Sequence, residues 1–302
     1  MILTVSLNPA VDKTCEIESI QPGTVNRLKS AVSVAGGKGI NVTKILRQFH
    51  MPVMAVGFLG GSGGKLIEDA MEELGVECHF TRIKGQTRTN VNILAEDGSV
   101  TELLEPGPVI REKELEEFRK QFSGCLELCE MAVLSGSVPE GVPTNIYRQL
   151  IEECHRNGVK VILDTSGEAL REAVPAMPDL LKPNLKELES LIGKKIDTRK
   201  VFAEEVNRLC EQVGKLVISL GSEGLFYVDE NRDIYQAAKK VNVVNTVGCG
   251  DTVVASLCMS EVAGDDADTA LQKAAALAAA NASTRENGQI PMETYLELLS
   301  NE

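Results

Sequence analysis

The chain has 302 residues, 43% of them hydrophobic and 25% charged, the composition of a globular protein with a large core. Its 31 basic and 44 acidic side chains leave a formal net charge of −13. That surface repels phosphodiester backbones and anionic membranes, so neither nucleic acid nor a membrane is an expected partner, and an anionic substrate would need a local basic pocket.

The opening segment MILTVSLNPAVD lacks a basic stretch and its apolar run is short, so no secretory leader is expected. No run approaches the ~20 apolar residues of a membrane span, and a cytoplasmic protein is expected. Ile2–Leu7 reads as a buried strand. Residues 14–35 then alternate without helical periodicity. The glycine turn AGGKGIN (Ala35–Asn41) leads into a helix over Val42–Phe49, followed by a strand at Val53–Phe58. Leu66, Ile67, Ala70, Met71 and Leu74 mark a helix that stops at Gly75. Residues 86–105 form a second alternating stretch, with Asp97-Gly98 as its hairpin turn. Met131–Leu134 is a strand, Ile146, Leu150 and Ile151 a helix ending near Gly158, and Val159–Asp164 and Leu216–Leu220 further strands. The last strand expected is Lys240–Val244, running into the glycine turn of NTVGCGDTVVASL (Asn245–Leu257) and a helix beyond Asp251. The βαβα order predicts an α/β fold, a mostly parallel sheet with helices on both faces. The two alternating stretches, 14–35 and 86–105, are expected to pair as a small β lid inserted into a single domain spanning 1–302. The eight cysteines include no CxxC, and Cys125 and Cys129 have no histidine close in sequence, so reduced buried thiols are expected.

Two common nucleotide motifs are absent. Gly64-Lys65 is followed by Leu66, and Gly248-Cys249-Gly250 leads to Val253 where a dinucleotide fingerprint needs glycine. The turn at Gly248–Gly250 is the strongest alternative, because amides at a helix N-terminus make an anion hole suited to a phosphoryl group. Asp251 is either a base beside that hole or a plain N-cap. In AGGKGIN, Lys38 and Asn41 offer donors where glycines admit a polar ligand, although a simple turn fits as well. In KPNLKELE, Asn184 and Glu187 share a face at a helix start, which suits a hydrated Mg²⁺ or a helix cap. Ser219–Gly224 (SLGSEG) could wrap a nucleotide or be a β-turn.

Taken in order, these segments resemble the PfkB branch of the ribokinase-like sugar kinases over essentially the whole chain. AGGKGINVTKILRQFHMPVMAVGFLGG is similar to the family's N-terminal signature, NTVGCGDTVVASL to its C-terminal one, and Asn184–Glu187 to its NxxE. TVSLNPAVDK, QTRTNV and SGSVPEG are most similar to its 1-phosphofructokinase and tagatose-6-phosphate kinase members. The resemblance implies a Rossmann-like core, a β lid that often makes a homodimer, and ATP with Mg²⁺. It implies Asp251 as catalytic base, with the amides of Gly248, Cys249 and Gly250 around the transferred group. Asp12, Gly37 and Asn41 would hold sugar hydroxyls, with Lys38, Arg88 and Ser137 completing the substrate site and Lys38 and Arg88 gripping an existing phosphate. Lys182, Asn184, Ser219, Leu220, Gly221, Ser222, Glu223, Gly224 and Asn281 would serve the nucleotide, and Asn184 and Glu187 the metal. Two positions depart from the pattern: Asn245 replaces a common Asp, which puts a K⁺ requirement in doubt, and Cys249 replaces a small Ala or Ser. The expected reaction is phosphorylation of fructose 1-phosphate to fructose 1,6-bisphosphate, with tagatose 6-phosphate as the alternative. A neutral-sugar or nucleoside kinase and a non-catalytic sugar-phosphate sensor are the rivals; the intact GCGD favours an enzyme.

Overall fold

The computed structural model describes residues 1–196, 204–285 and 288–300. Its main sheet follows from the continuous apolar runs of the sequence. Strands β1 (Ile2–Ser6), β4 (Val53–Leu59), β5 (Glu77–Arg82), β8 (Met131–Ser135), β9 (Lys160–Asp164), β10 (Leu180–Leu181) and β11 (Leu216–Ser219) run parallel, and β12 (Gly224–Val228) and β13 (Asp233–Ala237) close one edge antiparallel. The order across the nine described strands is β13-β12-β11-β10-β9-β8-β1-β4-β5.

Each central strand feeds two cores because successive side chains point to opposite faces. Leu3, Val5, Val161 and Leu163 pack with α3 (Glu112–Leu126), α4 (Ile146–Arg156) and α5 (Gly167–Ala173) on one face. Ile2 and Ile162 pack on the other with α1 (Lys38–Gln48), α8 (Cys249–Ala263), α9 (Ala267–Ala282) and α10 (Met292–Ser300). Helix α8 is apolar nearly all round because it is enclosed by α1 and α9. The alanine run of α9 supplies the small side chains that such close packing needs. Among the described residues, no helix is long and apolar enough to cross a membrane.

The two alternating stretches do pair with each other. Strands β2 (Ala10–Ile17), β3 (Ser30–Gly36), β6 (Arg88–Ala95) and β7 (Val100–Leu104) form a separate sheet in the order β3-β2-β6-β7. The β6–β7 connection turns at Asp97-Gly98, where Gly98 adopts φ 82° and the Asp97 carboxylate accepts from the Ser99 N–H at 2.8 Å. In this sheet β2 and β6 are parallel neighbours, so Ala10, Asp12 and Thr14 lie opposite Arg88, Asn90 and Asn92. Both strands leave the main sheet in the same direction, which carries their polar rungs over its carboxyl end.

Two expectations need correction. Lys240–Val244 is not a strand, and two of the three valines that suggested one face outward, Val243 at 60% and Val244 at 40% exposure. The segment is instead fastened to the end of α9, where the N–H groups of Val244 and Asn245 both donate to the Ala282 carbonyl at 2.8 and 3.1 Å. That anchor aims the glycine turn that follows. Helix α8 also starts earlier than expected, with Gly248 as its cap at φ 81°, a conformation that favours glycine. Asp251 therefore sits in the first turn and is not the N-cap.

Candidate active site

A cleft of about 630 Å³ opens at the carboxyl ends of the parallel strands, where open α/β sheets present their ligands, with the small sheet as its roof. Asp12, Gly37, Lys38, Asn41, Arg88, Ser137, Lys182, Asn184, Ser219, Gly248, Gly250 and Asp251 all line it. Residues scattered over the whole chain thus meet in one place.

At its floor, Asp251 is 6% exposed and accepts from the Asn41 side-chain amide at 2.8 Å. Burial pushes its carboxyl from 3.8 up to about 7; the Asp164 charge adds to the rise, while Lys38, Asn41 and Lys182 oppose it. Lys38, on the first turn of α1, donates to the Asp164 carboxylate at 2.8 Å, and the Lys182 ammonium lies 3.4 Å from the same oxygen. Burial alone would lower the Lys38 ammonium, but the charges of Asp164, Asp251 and Glu187 push it above its ordinary value. Burial likewise works against the Asp164 charge, and the two lysines more than offset it, holding the carboxyl below its usual range. The Asp164 carboxylate is thus buried between two ammonium groups, which bring local positive charge to the cleft floor of an acidic protein.

At the roof, Asp12 accepts from the Asn90 amide at 3.0 Å and lies against Gly36. A Cβ on Gly36 would fall 2.0 Å from an Asp12 carboxylate oxygen, so only glycine leaves this carboxylate its place. Arg88 donates to the backbone carbonyls of Glu105 at 2.9 Å and Asn8 at 3.0 Å, while its Nε is buried without a partner. Ser137 accepts from the Asn8 amide at 3.0 Å. Lys38 and Arg88 share the cleft but not a partner: Lys38 is held at the floor with Asp164, Arg88 where the small sheet joins the core.

The remaining expected residues divide. Asn184 and Glu187 form a reciprocal capping box at the start of α6 (Leu185–Ile192), each backbone N–H donating to the other's side chain at 2.8 Å. Ser219 borders the cleft, and Leu220–Gly224 follow as a short helical turn leading into β12, with Gly221, Ser222 and Glu223 exposed. Asn281 is 1% exposed and donates to the Val247 carbonyl at 3.0 Å, so it stands behind the glycine turn. Cys249 turns its thiol toward the Ala278 carbonyl, 3.5 Å away, and burial raises the thiol's pKa. Asp164, Asn8, Asn90 and Asn92 also belong to the site and are not expected from the sequence. A signal existed for Asp164, a carboxylate at the very end of an apolar parallel strand. The asparagines gave none: register with β2 puts Asn90 and Asn92 on the cleft side, and Asn8 reaches it from the turn between β1 and β2.

Buried polar atoms without partners gather here too. Those on Asn8, Asn41, Arg88, Asn90, Asn92 and Ser135 all belong to cleft-lining residues. Leaving such groups unpaired is costly in a folded protein, and a polar ligand would satisfy them.

Likeness in sequence and structure makes this doubly wound fold, with its β roof and perturbed carboxylate, a carbohydrate kinase, a phosphotransferase with an alcohol group as acceptor. The chain belongs to the pfkB family of carbohydrate kinases, whose sequence profile matches residues 5–294. It is 36% identical to a tagatose-6-phosphate kinase of Staphylococcus epidermidis over 303 aligned positions, covering 99% of this chain and 97% of the relative. Among solved structures it resembles phosphofructokinase-2 of Escherichia coli in complex with potassium, with a TM-score of 0.89 and 26% identity over 99% of this chain and 98% of that one. A Thermotoga maritima protein described as a possible 1-phosphofructokinase gives a TM-score of 0.89 and 26% identity, over 99% and 97% of the two chains.

Proposed function

We propose that this kinase transfers the γ-phosphoryl group of ATP to a hydroxyl of a ketohexose phosphate, with fructose 1-phosphate as the first choice and tagatose 6-phosphate as the alternative. The observation that carries this reading is Asp251, a buried carboxylate poised near neutral pH, hydrogen-bonded to Asn41 and within reach of the Lys38 charge. Asp251 takes the acceptor hydroxyl proton as the sugar oxygen bonds to the γ-phosphorus. The bond from that phosphorus to the β–γ bridging oxygen breaks, and ADP leaves with the electron pair. The Gly248 and Gly250 turn and the Lys38 ammonium face the charge that develops on the transferred group. Arg88 keeps three N–H groups beyond its two backbone bonds, including the buried Nε, and grips the phosphate already on the sugar. Lys38 is thereby moved from the sugar phosphate to the transferring phosphate.

Ser219–Gly224, Lys182 and Asn184 border the nucleotide. Mg²⁺ fits the hard oxygen chemistry of the floor: Glu187 uses one carboxylate oxygen in its cap, and its charge reaches Lys38, so Glu187 and Asn184 would hold the hydrated ion. When bound, the ion neutralises polyphosphate charge. Asn245 spends its side chain on the Arg285 carbonyl and the Val247 N–H, which supports activity without K⁺.

The small sheet acts as a lid that excludes water during transfer. The lid carries exposed Leu103 on the face of β7 opposite the cleft-lining Leu104, and exposed Val32 on β3, which supports a homodimer formed through the lid. The enzyme works in the cytoplasm. An ADP-release assay across free sugars, phosphosugars and nucleosides tests the function directly. Turnover of a phosphoketose supports the reading, and turnover of only neutral sugars or nucleosides overturns it.

A further inference from the structure

The lid strand β6 presents three polar rungs to the cleft at alternate positions, Arg88, Asn90 and Asn92, about 7 Å apart along an extended strand. Arg88 is assigned to a phosphate above; the two asparagines have no role yet. Both are buried, Asn90 at 8% and Asn92 at 3% exposure, and the side-chain carbonyl oxygen of each lacks any partner. For Asn90 the orientation is set by chemistry. Its amide nitrogen donates to Asp12 at 3.0 Å, and a carboxylate can only accept, so its carbonyl oxygen is the end left over. Asp12 is itself fixed by Gly36 behind it and by the Gly37 N–H, which makes the Asp12–Asn90 pair a rigid unit.

We propose that the side-chain oxygens of Asn90 and Asn92 are specificity-determining acceptors that read hydroxyl groups along the sugar chain, starting from the phosphate held by Arg88. The proposal rests on the phosphoketose reading above. A hydroxyl that donates to an acceptor already desolvated and aimed is favoured, whereas an epimer that turns the hydroxyl away leaves the buried oxygen unpaired. Such a site discriminates strongly between sugars that differ only in configuration at one carbon.

The test compares tagatose 6-phosphate with fructose 6-phosphate, epimers at C4, and fructose 1-phosphate with its C4 epimer, tagatose 1-phosphate, by steady-state kinetics. The wild type, Asn90→Ala and Asn92→Ala are measured, with melting temperature and ATP KM as controls for folding. The expected result is a preference of the wild type for one epimer of a pair. At least one variant should lower kcat/KM for the preferred epimer by about 10- to 100-fold, chiefly through KM, and leave the disfavoured epimer nearly unchanged. If both epimers fall by one factor, Asn90 acts only through Asp12 and the proposal is overturned. It is overturned equally if the variants behave as wild type, or if a wild type active on phosphoketoses treats the epimers alike; in these cases the phosphoketose reading stands. A wild type inactive on all four sugars removes both.

Discussion

Replacing Asp251 by Asn should remove activity and make the protein more stable. The carboxyl is raised from 3.8 to about 7 by burial, so above pH 7 the folded state holds it charged at a cost the unfolded chain does not bear. At about 1.4 kcal/mol per pH unit, that cost reaches up to about 4 kcal/mol above pH 7. The sign follows from the raised value. Below about pH 4 the group is protonated in both states and costs nothing; stability is lost as pH climbs through 7. The Asp251→Asn side chain would keep an oxygen for the Asn41 amide while shedding the charge, so the variant should melt several degrees higher than the wild type at pH 8 and at nearly the same temperature at pH 4. Turnover should fall by roughly 10²–10⁴ with ATP binding nearly intact, and the wild-type kcat/KM should rise with pH through about 7 as the base ionises. Calorimetric melting at both pH values and a coupled ADP assay on the same preparation measure both effects. Near-normal turnover in a folded variant would refute the base, and an unchanged or lowered melting temperature at pH 8 would refute the burial cost.

Arg88→Ala should lower kcat/KM for a phosphoketose by about 30- to 1000-fold, the loss of about 2–4 kcal/mol of charge-assisted bonding, and barely alter the slow turnover of a free ketohexose. An equal fall for both would make Arg88 a lid support, through its bonds to the Asn8 and Glu105 carbonyls. Glu187→Gln should raise the Mg²⁺ concentration needed for half-maximal rate with little change in sugar KM, and an unchanged Mg²⁺ titration would leave the residue only its capping role. Gly36→Ala should cost about 100-fold or more in kcat/KM, because displacing Asp12 by about an ångström misplaces the acceptor; wild-type kinetics would show that Asp12 does not touch the sugar. Leu103→Glu should convert a lid-to-lid dimer to monomer in light scattering, and an unaltered mass would place any dimer contact elsewhere.

Much of this protein is legible from local chemistry. The buried parallel strands show as uninterrupted apolar runs, the helices as 3.6-residue periodicity, and the glycine turns before Lys38 and Asp251 as places where backbone can approach a ligand. Segments of that kind are determined by nearest neighbours in sequence, which is why β1, β4, β8, β9 and β11 fall where expected. Lys240–Val244 misleads for the same reason: its valines have strand propensity, and only the absence of a burying partner excludes a strand.

The roles within the site depend on distances no spacing encodes. Asp164 ends a strand 126 residues from Lys38, and folding makes them partners; Lys38 thereby lies at the floor, away from the Arg88 it was expected to join. Asn90 and Asn92 look like ordinary strand polar residues until β6 pairs in register with β2 and turns them inward. Asp251 shows the division most clearly. Its sequence setting allows a cap or a base, and both are sound local chemistry. Tertiary packing removes the cap reading, because Gly248 takes that place, and α1, β9 and α8 close around the carboxylate and strip its water, the setting the proposed base needs.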